Sequence, residues 1–156
     1  MLKKVEHIGI AVKDLKASNL LFEALLGVPH YKTEAVVSEG VTTSFFDVGT
    51  HKIELLEPTH PNSPIAKFIT KKGEGVHHIA FEVENLEVEL ARLKAEGFEL
   101  IHETPIKGAD NKRIAFLHPK TTNGVLIELC QERPNKDWFS FYNFKNRCNI
   151  AAVLVP

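Results

Sequence analysis

Two histidines and two glutamates occupy matching places in an internal repeat of the sequence. His7 begins the stretch His-Ile-Gly-Ile-Ala-Val, and His78 begins the stretch His-Ile-Ala-Phe-Glu-Val. Glu54 follows the first histidine within Ile-Glu-Leu, and Glu128 follows the second within another Ile-Glu-Leu. Two neutral imidazoles and two carboxylates form a ligand set for one divalent metal ion, so the repeat points to metal chemistry.

The predicted strands turn these four residues toward one face of a sheet. Side chains alternate between the faces of a strand, so His7 shares a face with Gly9, and His78 shares a face with Ala80. The two glutamates each lie opposite the aliphatic residues beside them. We expect the aliphatic side chains to face helices and the ligands to face a concave surface. Positions left for water or substrate are typical of a catalytic metal.

The other histidines have simpler interpretations. A single strand histidine is usually a hydrogen-bonded core residue, and only the repetition at four equivalent positions favours metal binding. His77 has the opposite strand parity to its neighbour, so we expect it to be structural. We expect solvent exposure for the histidines at turns or predicted edges, which are His30, His51, His60 and His102.

The repeat predicts a fold of the α+β class, in which each half is a βαβββ module. The helix of the first half begins at the N-cap Asp14 and ends at Gly27. The helix of the second half begins after Asn85 and ends at Gly97. The predicted strands lie near 5–12, 31–37, 41–48 and 51–57 in the first half and near 77–83, 99–103, 112–117 and 124–131 in the second.

The repeat also divides the chain. Ser63 followed by Pro64 predicts a short connecting helix over 64–71. The division is a first module over 1–62, a connecting helix and linker over 63–75, a second module over 76–132 and an aromatic C-terminal tail over 133–156. We expect the tail to pack on its own domain as a flap, because an aromatic cluster usually buries itself. A lid or a dimer contact is the alternative.

The composition excludes several classes of protein. With 156 residues, 44% hydrophobic and 25% charged, the chain can bury a core as one domain or as two halves that share it. A net charge of -1 gives no electrostatic signature for nucleic acid or an acidic membrane. Two cysteines make no disulfide framework, and no apolar stretch reaches the ~20 residues of a membrane span. We expect a cytoplasmic protein.

The repeated stretches resemble the vicinal oxygen chelate, or glyoxalase-like, superfamily. The matching segments cover 7–12, 52–58, 63–66, 77–83, 116–120 and 124–129. The resemblance implies tandem βαβββ modules that form a half-open barrel of mixed sheet around a metal site. It also implies a homodimer and one divalent ion held by His7, Glu54, His78 and Glu128. The ion is Co, Zn, Ni or Mn, and the sequence does not choose among them.

Within that superfamily, the chain most resembles the methylmalonyl-CoA epimerases. The resemblance implies an acyl-CoA thioester substrate whose α-proton is removed to give a metal-stabilised enolate and is then returned on the opposite face. The two acid/base candidates are Glu128 and Glu39. The basic residues that are candidates for contacts with CoA phosphates are Lys107, Lys112, Arg113 and Lys120.

Two segments depart from the pattern of those epimerases. Their loop before the third strand reads Glu-Gln-Gly-Val, whereas this chain has Ser38, Glu39, Gly40 and Val41. A shift of one residue along a strand reverses the face of a side chain, so Glu39 serves as the base only if a bulge or loop redirects it. Their Gly-Ala-His segment ends here in Asp110.

Three other activities fit the same superfamily. A glyoxalase I, or lactoylglutathione lyase, would use the same four ligands to isomerise a hemithioacetal and needs no base at Glu39. An extradiol dioxygenase is disfavoured because its ligands are two histidines and one carboxylate. A drug-sequestering protein would use the cleft without metal, and the presence of all four ligands argues against it.

Overall fold

The computed structural model describes residues 1–133, which form a curled sheet with helices packed against it. The strands are β1 (Leu2–Ala11), β2 (Lys32–Val36), β3 (Val41–Asp47), β4 (Lys52–Pro58), β5 (Gly75–Val83), β6 (Ile106–Lys107), β7 (Lys112–Leu117) and β8 (Leu126–Glu132). The helices are α1 (Leu15–Leu26), α2 (Pro64–Lys72) and α3 (Leu86–Ala95). The predicted aromatic tail lies outside the described residues from residue 134 onward.

All three predicted helices form, and local caps explain where they begin. A side-chain oxygen of Asp14, Ser63 or Asn85 accepts a hydrogen bond from the backbone N–H three residues later. Such a cap satisfies a donor that has no partner within the helix. Helix α1 ends at Gly27, whose φ of 71° lies in the left-handed region that glycine adopts without strain. Within residues 1–133, no helix is long and apolar enough to cross a lipid bilayer.

The described strands belong to one sheet, in the order β2-β3-β4-β1-β5-β8-β7-β6. β1 pairs with β4 in parallel, and β5 pairs with β8 in parallel, so the two halves of the sheet have equivalent internal orders. The halves meet where β1 and β5 pair antiparallel. The four strands predicted to carry metal ligands are therefore neighbours in the centre of the sheet.

The outer strands of the sheet approach each other across its concave side. β2 and β6 are the two ends of the strand order, yet Asp110, in the turn between β6 and β7, contacts Lys32 of β2. The distance between Lys32 Nζ and Asp110 Oδ1 is 3.2 Å. The Asp110 N–H also donates to the Glu34 carboxylate of β2 at 3.1 Å. The sheet is thus a half-open barrel, as the resemblance to the superfamily implied.

The aliphatic faces of the central strands pack on helices, as strand parity predicted. Helix α3 buries Leu86, Leu90 and Leu93 against aliphatic residues of β5, β7 and β8. Helix α1 packs Leu15 against Leu55 of β4 and its neighbours. The apolar run of α1 is only partly buried, because Leu20, Leu21 and Leu25 remain exposed on its outer side.

The predicted strand near 99–103 is wrong. Only Leu100 forms an isolated bridge, to Leu117, and the short strand β6 begins later at Ile106. The ladder is interrupted because the Phe116 N–H donates to the imidazole of His102 at 3.3 Å. Proline at position 105 has no N–H to donate, so the segment turns before pairing resumes.

One buried and one exposed helical leucine allow the contribution of core packing to stability to be compared with that of helix propensity. Leu90 of α3 is 3% exposed, and Leu21 of α1 is 64% exposed. We expect Leu90→Ala to lower the free energy of unfolding by about 2–5 kcal/mol, because it leaves a cavity in the core. Leu21→Ala should change it by no more than about 0.5 kcal/mol. Urea unfolding of both variants tests this, and equal losses would contradict the assigned packing of α3.

Candidate metal centre

The four predicted ligands come from four adjacent strands. His7 lies on β1, Glu54 on β4, His78 on β5 and Glu128 on β8, and all four side chains are buried. Strand pairing aligns them, because Glu54 and His78 both pair with Gly9, from opposite sides of β1. The concave face at the centre of the sheet therefore holds both imidazoles and both carboxylates.

The donor atoms lie close together. The Nε2 atoms of His7 and His78 are 2.9 Å apart. Glu54 Oε2 lies 3.2 Å from Nε2 of His7 and 3.5 Å from Nε2 of His78. One donor atom from each of these three residues lies within 4.8 Å of the others. Glu128 Oε2 lies 3.4 Å from Nε2 of His78 and 3.9 Å from Nε2 of His7.

These separations suit a single ion. With metal–ligand bonds of about 2.1 Å, donor atoms lie about 3.0 Å apart at a right angle and about 3.4 Å apart at the tetrahedral angle. The five distances among the imidazoles and carboxylates, from 2.9 to 3.9 Å, fall around these values. Nitrogen and carboxylate donors together suit Zn, Co, Ni or Mn. His7, Glu54 and His78 therefore fit one divalent ion, and Glu128 Oε2 lies 3.4 and 3.9 Å from the two imidazole nitrogens but outside the group whose donor atoms are all within 4.8 Å of one another.

Glycine at position 9 makes room for one of the ligands. A Cβ atom at Gly9 would lie 2.2 Å from Cε1 and 2.6 Å from Nδ1 of the His78 ring. The imidazole thus packs directly on the backbone of β1, in space that any side chain would fill. The close approach of the two central strands depends on this glycine.

The buried charges shift one another's proton affinity. Burial acts to lower the pKa of His7, but the Glu54 carboxylate, with which it also hydrogen bonds, raises that pKa to about 10. Burial acts to raise the pKa of Glu54, but the charge of His7 and hydrogen bonds from both imidazoles lower it to about 2. Burial raises the pKa of Glu128. A metal ion competes with protons for these atoms, because its ligands bind deprotonated.

A cavity of about 290 Å³ opens in front of the four donors. Its wall is largely apolar and includes Phe45, Leu56, Ile114 and Phe116. Glu39 also lines the cavity. The residues between β2 and β3 form a 3₁₀ turn over Val37–Glu39 followed by Gly40 at a φ of 62°, so Glu39 lies on a loop and not on a strand. Strand parity therefore does not fix the direction of the Glu39 side chain.

Several residues differ from what the sequence suggested. His102 is half-buried and lines the cavity, although we expected solvent exposure. His30 is half-buried because its imidazole donates to Glu23 at 2.6 Å, whereas His51 and His60 are exposed as predicted. Lys112 is not the surface cation expected for CoA phosphates, because its ammonium is buried near a carboxylate of β1.

Two residues that the sequence analysis did not assign to the site contact the two histidines. The Nδ1 atom of His7 donates to Glu6 Oε2 at 2.5 Å. The Nδ1 atom of His78 lies 3.0 Å from Nδ1 of His77. Burial lowers the pKa of His77 to about 4. Both residues directly precede a ligand, and that adjacency in both copies of the repeat was the available signal. His77 also packs against Phe68 of α2, but it lines the cavity, whereas strand parity predicted that it would face the opposite side of the sheet.

Comparison with known proteins agrees with this geometry. A family model described as the Glyoxalase/Bleomycin resistance protein/Dioxygenase superfamily matches residues 6–116. This chain belongs to that superfamily. The methylmalonyl-CoA epimerase of Dictyostelium discoideum is 40% identical over 81% of this chain and 76% of its own length. The ethylmalonyl-CoA/methylmalonyl-CoA epimerase of Cereibacter sphaeroides is 39% identical over 84% of this chain and 99% of its own length.

A solved structure gives the same relationship in three dimensions. It is a methylmalonyl-CoA epimerase in complex with methylmalonyl-CoA and NH4+, and it is 36% identical to this chain. The alignment covers 85% of this chain and 96% of that structure, with a TM-score of 0.80. The superfamily fold predicted from the repeated segments is therefore confirmed.

The contact between Gly9 and His78 gives a direct test of the metal centre. We expect Gly9→Ala to weaken Co²⁺ binding by at least about 10-fold, because the new methyl group displaces a ligand ring. Gly108→Ala is a matched control: its Cβ would crowd Ile114, at 2.6 Å from Cγ2, but no metal donor. Titration of the metal-depleted proteins with Co²⁺ measures both affinities. Equal affinities in the two variants would contradict the placement of His78.

Proposed function

We propose that this protein is a divalent-metal-dependent isomerase that epimerises methylmalonyl-CoA or a similar 2-substituted acyl-CoA. The observation that carries the proposal is the convergence of His7, Glu54 and His78 in a cavity that Glu39 also lines, with Glu128 Oε2 at 3.4 and 3.9 Å from the two imidazole nitrogens. The relatives from Dictyostelium discoideum and Cereibacter sphaeroides are epimerases of such acyl-CoA thioesters. The proposed ion is Co, Zn, Ni or Mn.

The metal would be held by the two Nε2 atoms and by carboxylate oxygens of Glu54 and Glu128. When bound, a divalent ion supplies Lewis-acid stabilisation of the negative charge that develops on the thioester oxygen as the α-proton leaves. By holding the ion, the four side chains would determine where the thioester oxygen lies relative to the cavity wall. Their burial also excludes bulk water, which strengthens electrostatic interactions.

Two carboxylates supply the proton transfers. One removes the proton from the α-carbon, and the C–H electron pair passes into the enolate. The other, in its acid form, then returns a proton to the opposite face of the planar carbon, which inverts the configuration. We assign these roles to Glu128 and Glu39, because both line the cavity and they come from different halves of the sheet.

The apolar wall suits the acyl part of such a substrate. Phe45 and Leu56 lie on the side of the first module, and Ile114 and Phe116 lie on the side of the second. These side chains would shield the enolate from water, which otherwise protonates it without control of the face. The homodimer, the cytoplasmic location, the division into modules and the role of the tail stay predictions.

An exchange experiment tests the proposed reaction. We expect the metal-loaded protein to exchange the α-hydrogen of methylmalonyl-CoA for deuterium from D₂O, and chelation of the metal to stop the exchange. Mass spectrometry of the recovered thioester measures incorporation. The same preparation should leave the methylglyoxal–glutathione hemithioacetal unchanged. Turnover of that adduct without exchange into methylmalonyl-CoA would instead identify a lactoylglutathione lyase.

The two proton-transfer residues can be separated by substitution. We expect Glu39→Gln to lower epimerisation by about 10²- to 10⁴-fold, while α-hydrogen exchange persists from the one epimer that Glu128 serves. Glu128→Gln and His78→Ala should abolish both epimerisation and exchange, because the first removes a charged carboxylate that acts as donor and base, and the second removes a metal donor. Glu103→Gln alters an exposed carboxylate outside the cavity and should behave as wild type. Wild-type epimerisation by Glu39→Gln would remove Glu39 from the mechanism.

A further inference from the structure

Two irregularities in the pairing of β1 with β5 place unexpected side chains beside the metal ligands. Val5 pairs with Phe81 and His7 with Ala80, so Glu6 is an extra residue on β1. Gly9 pairs with His78 and Ile10 with Val76, so the residue before His78 is extra on β5. A β-bulge redirects side chains that strict alternation would send to the opposite face.

Each redirected side chain meets Nδ1 of the ligand that follows it. Glu6 accepts a hydrogen bond from His7 Nδ1 at 2.5 Å, and His77 lies at 3.0 Å from His78 Nδ1. A hydrogen bond at Nδ1 fixes the ring orientation and leaves Nε2 unprotonated and free to bind metal. In both copies, Nε2 is the atom that faces the other ligands.

Further contacts hold the two residues in place. Lys52 and Lys112 lie 2.9 Å and 3.1 Å from Glu6 Oε1, which leaves Oε2 for His7. Lys52 also contacts Asp110 at 2.7 Å, in the turn that reaches across the barrel to β2. The ring of His77 packs edge-on against Phe68 of α2, with 4.9 Å between centroids.

We propose that Glu6 and His77 are a matched pair of positioning residues, redirected by the two bulges, that orient the histidine ligands through Nδ1. Neither residue touches the ion. Glu6 provides a charged acceptor in the first module, and the neutral imidazole of His77 provides an acceptor in the second. The proposal rests on the metal site of the proposed function.

Metal affinity, measured without substrate, tests the role of Glu6. Glu6→Gln keeps the size of the side chain and removes its charge. We expect the Kd for Co²⁺, followed by visible absorption of the ion in the full-length, metal-depleted protein, to rise by about 10- to 100-fold. Glu82→Gln is the matched control, since Glu82 also lies on a central strand and pairs with two lysines but does not line the cavity. An unchanged Kd in folded Glu6→Gln would overturn the proposal for Glu6.

Two substitutions separate hydrogen bonding from packing at position 77. His77→Phe keeps an aromatic ring against α2 and removes the acceptor, and we expect it to weaken Co²⁺ binding by about 10-fold or more. His77→Asn restores an acceptor close to the former Nδ1, so it should recover most of the affinity. Wild-type affinity in His77→Phe, or equal losses in both variants, would overturn the role of the hydrogen bond.

One measurement needs no variant and remains available if Glu6→Gln fails to fold. In the Zn²⁺-loaded wild-type protein, ¹⁵N NMR of the imidazoles should show Nδ1–H and a metal-bound Nε2 for both ligands. Coordination through Nδ1 would overturn the proposal. A wild-type protein that binds Co²⁺ but exchanges no deuterium into methylmalonyl-CoA would refute the proposed substrate alone and leave the positioning result standing.

Discussion

The antiparallel pairing of β1 with β5 is the interaction on which the rest of the structure depends. It joins the two halves of the repeat through their first strands, which carry one histidine each. The parallel partners of these strands, β4 and β8, carry the two glutamates. A duplicated module thus becomes a single site, because symmetry about this pair of strands places four equivalent residues on one concave face.

The same arrangement concentrates groups that are costly to bury. Burial of a carboxylate costs on the order of several kcal/mol in lost hydration free energy. Hydrogen bonds and ion pairs with neighbouring groups must offset this cost. Glu54 and Glu128 lie beside two imidazoles that are just as buried. A divalent ion would neutralise both carboxylates at once, and its binding free energy would then contribute to folding. Metal binding would then stabilise the pairing of the two halves of the sheet.

Repetition and local chemistry made the convergence of two histidines and two glutamates, and the helix starts, predictable from the sequence. The four residues share a pattern in two copies, and helix caps such as Asp14 depend only on neighbours in the chain. The features that the sequence did not predict depend on pairing between distant segments. The bulges that redirect Glu6 and His77 exist only where β1 meets β5, and the interruption at His102 arises from a contact with Phe116, 14 residues away. Strand parity, applied without these irregularities, placed His77 on the wrong face.

The charges around Glu6 show why such a site tolerates burial. Lys112 and Lys52 flank Glu6, and Lys52 is shared with Asp110, so charges of opposite sign alternate from the metal ligand to the turn that closes the barrel. Each ion in this series has a partner of opposite sign within hydrogen-bonding distance, which offsets the loss of hydration. The series ends on β2, at the far edge of the sheet, where Lys32 contacts Asp110. The approach of the two sheet edges and the position of Glu6 beside His7 therefore share one set of contacts.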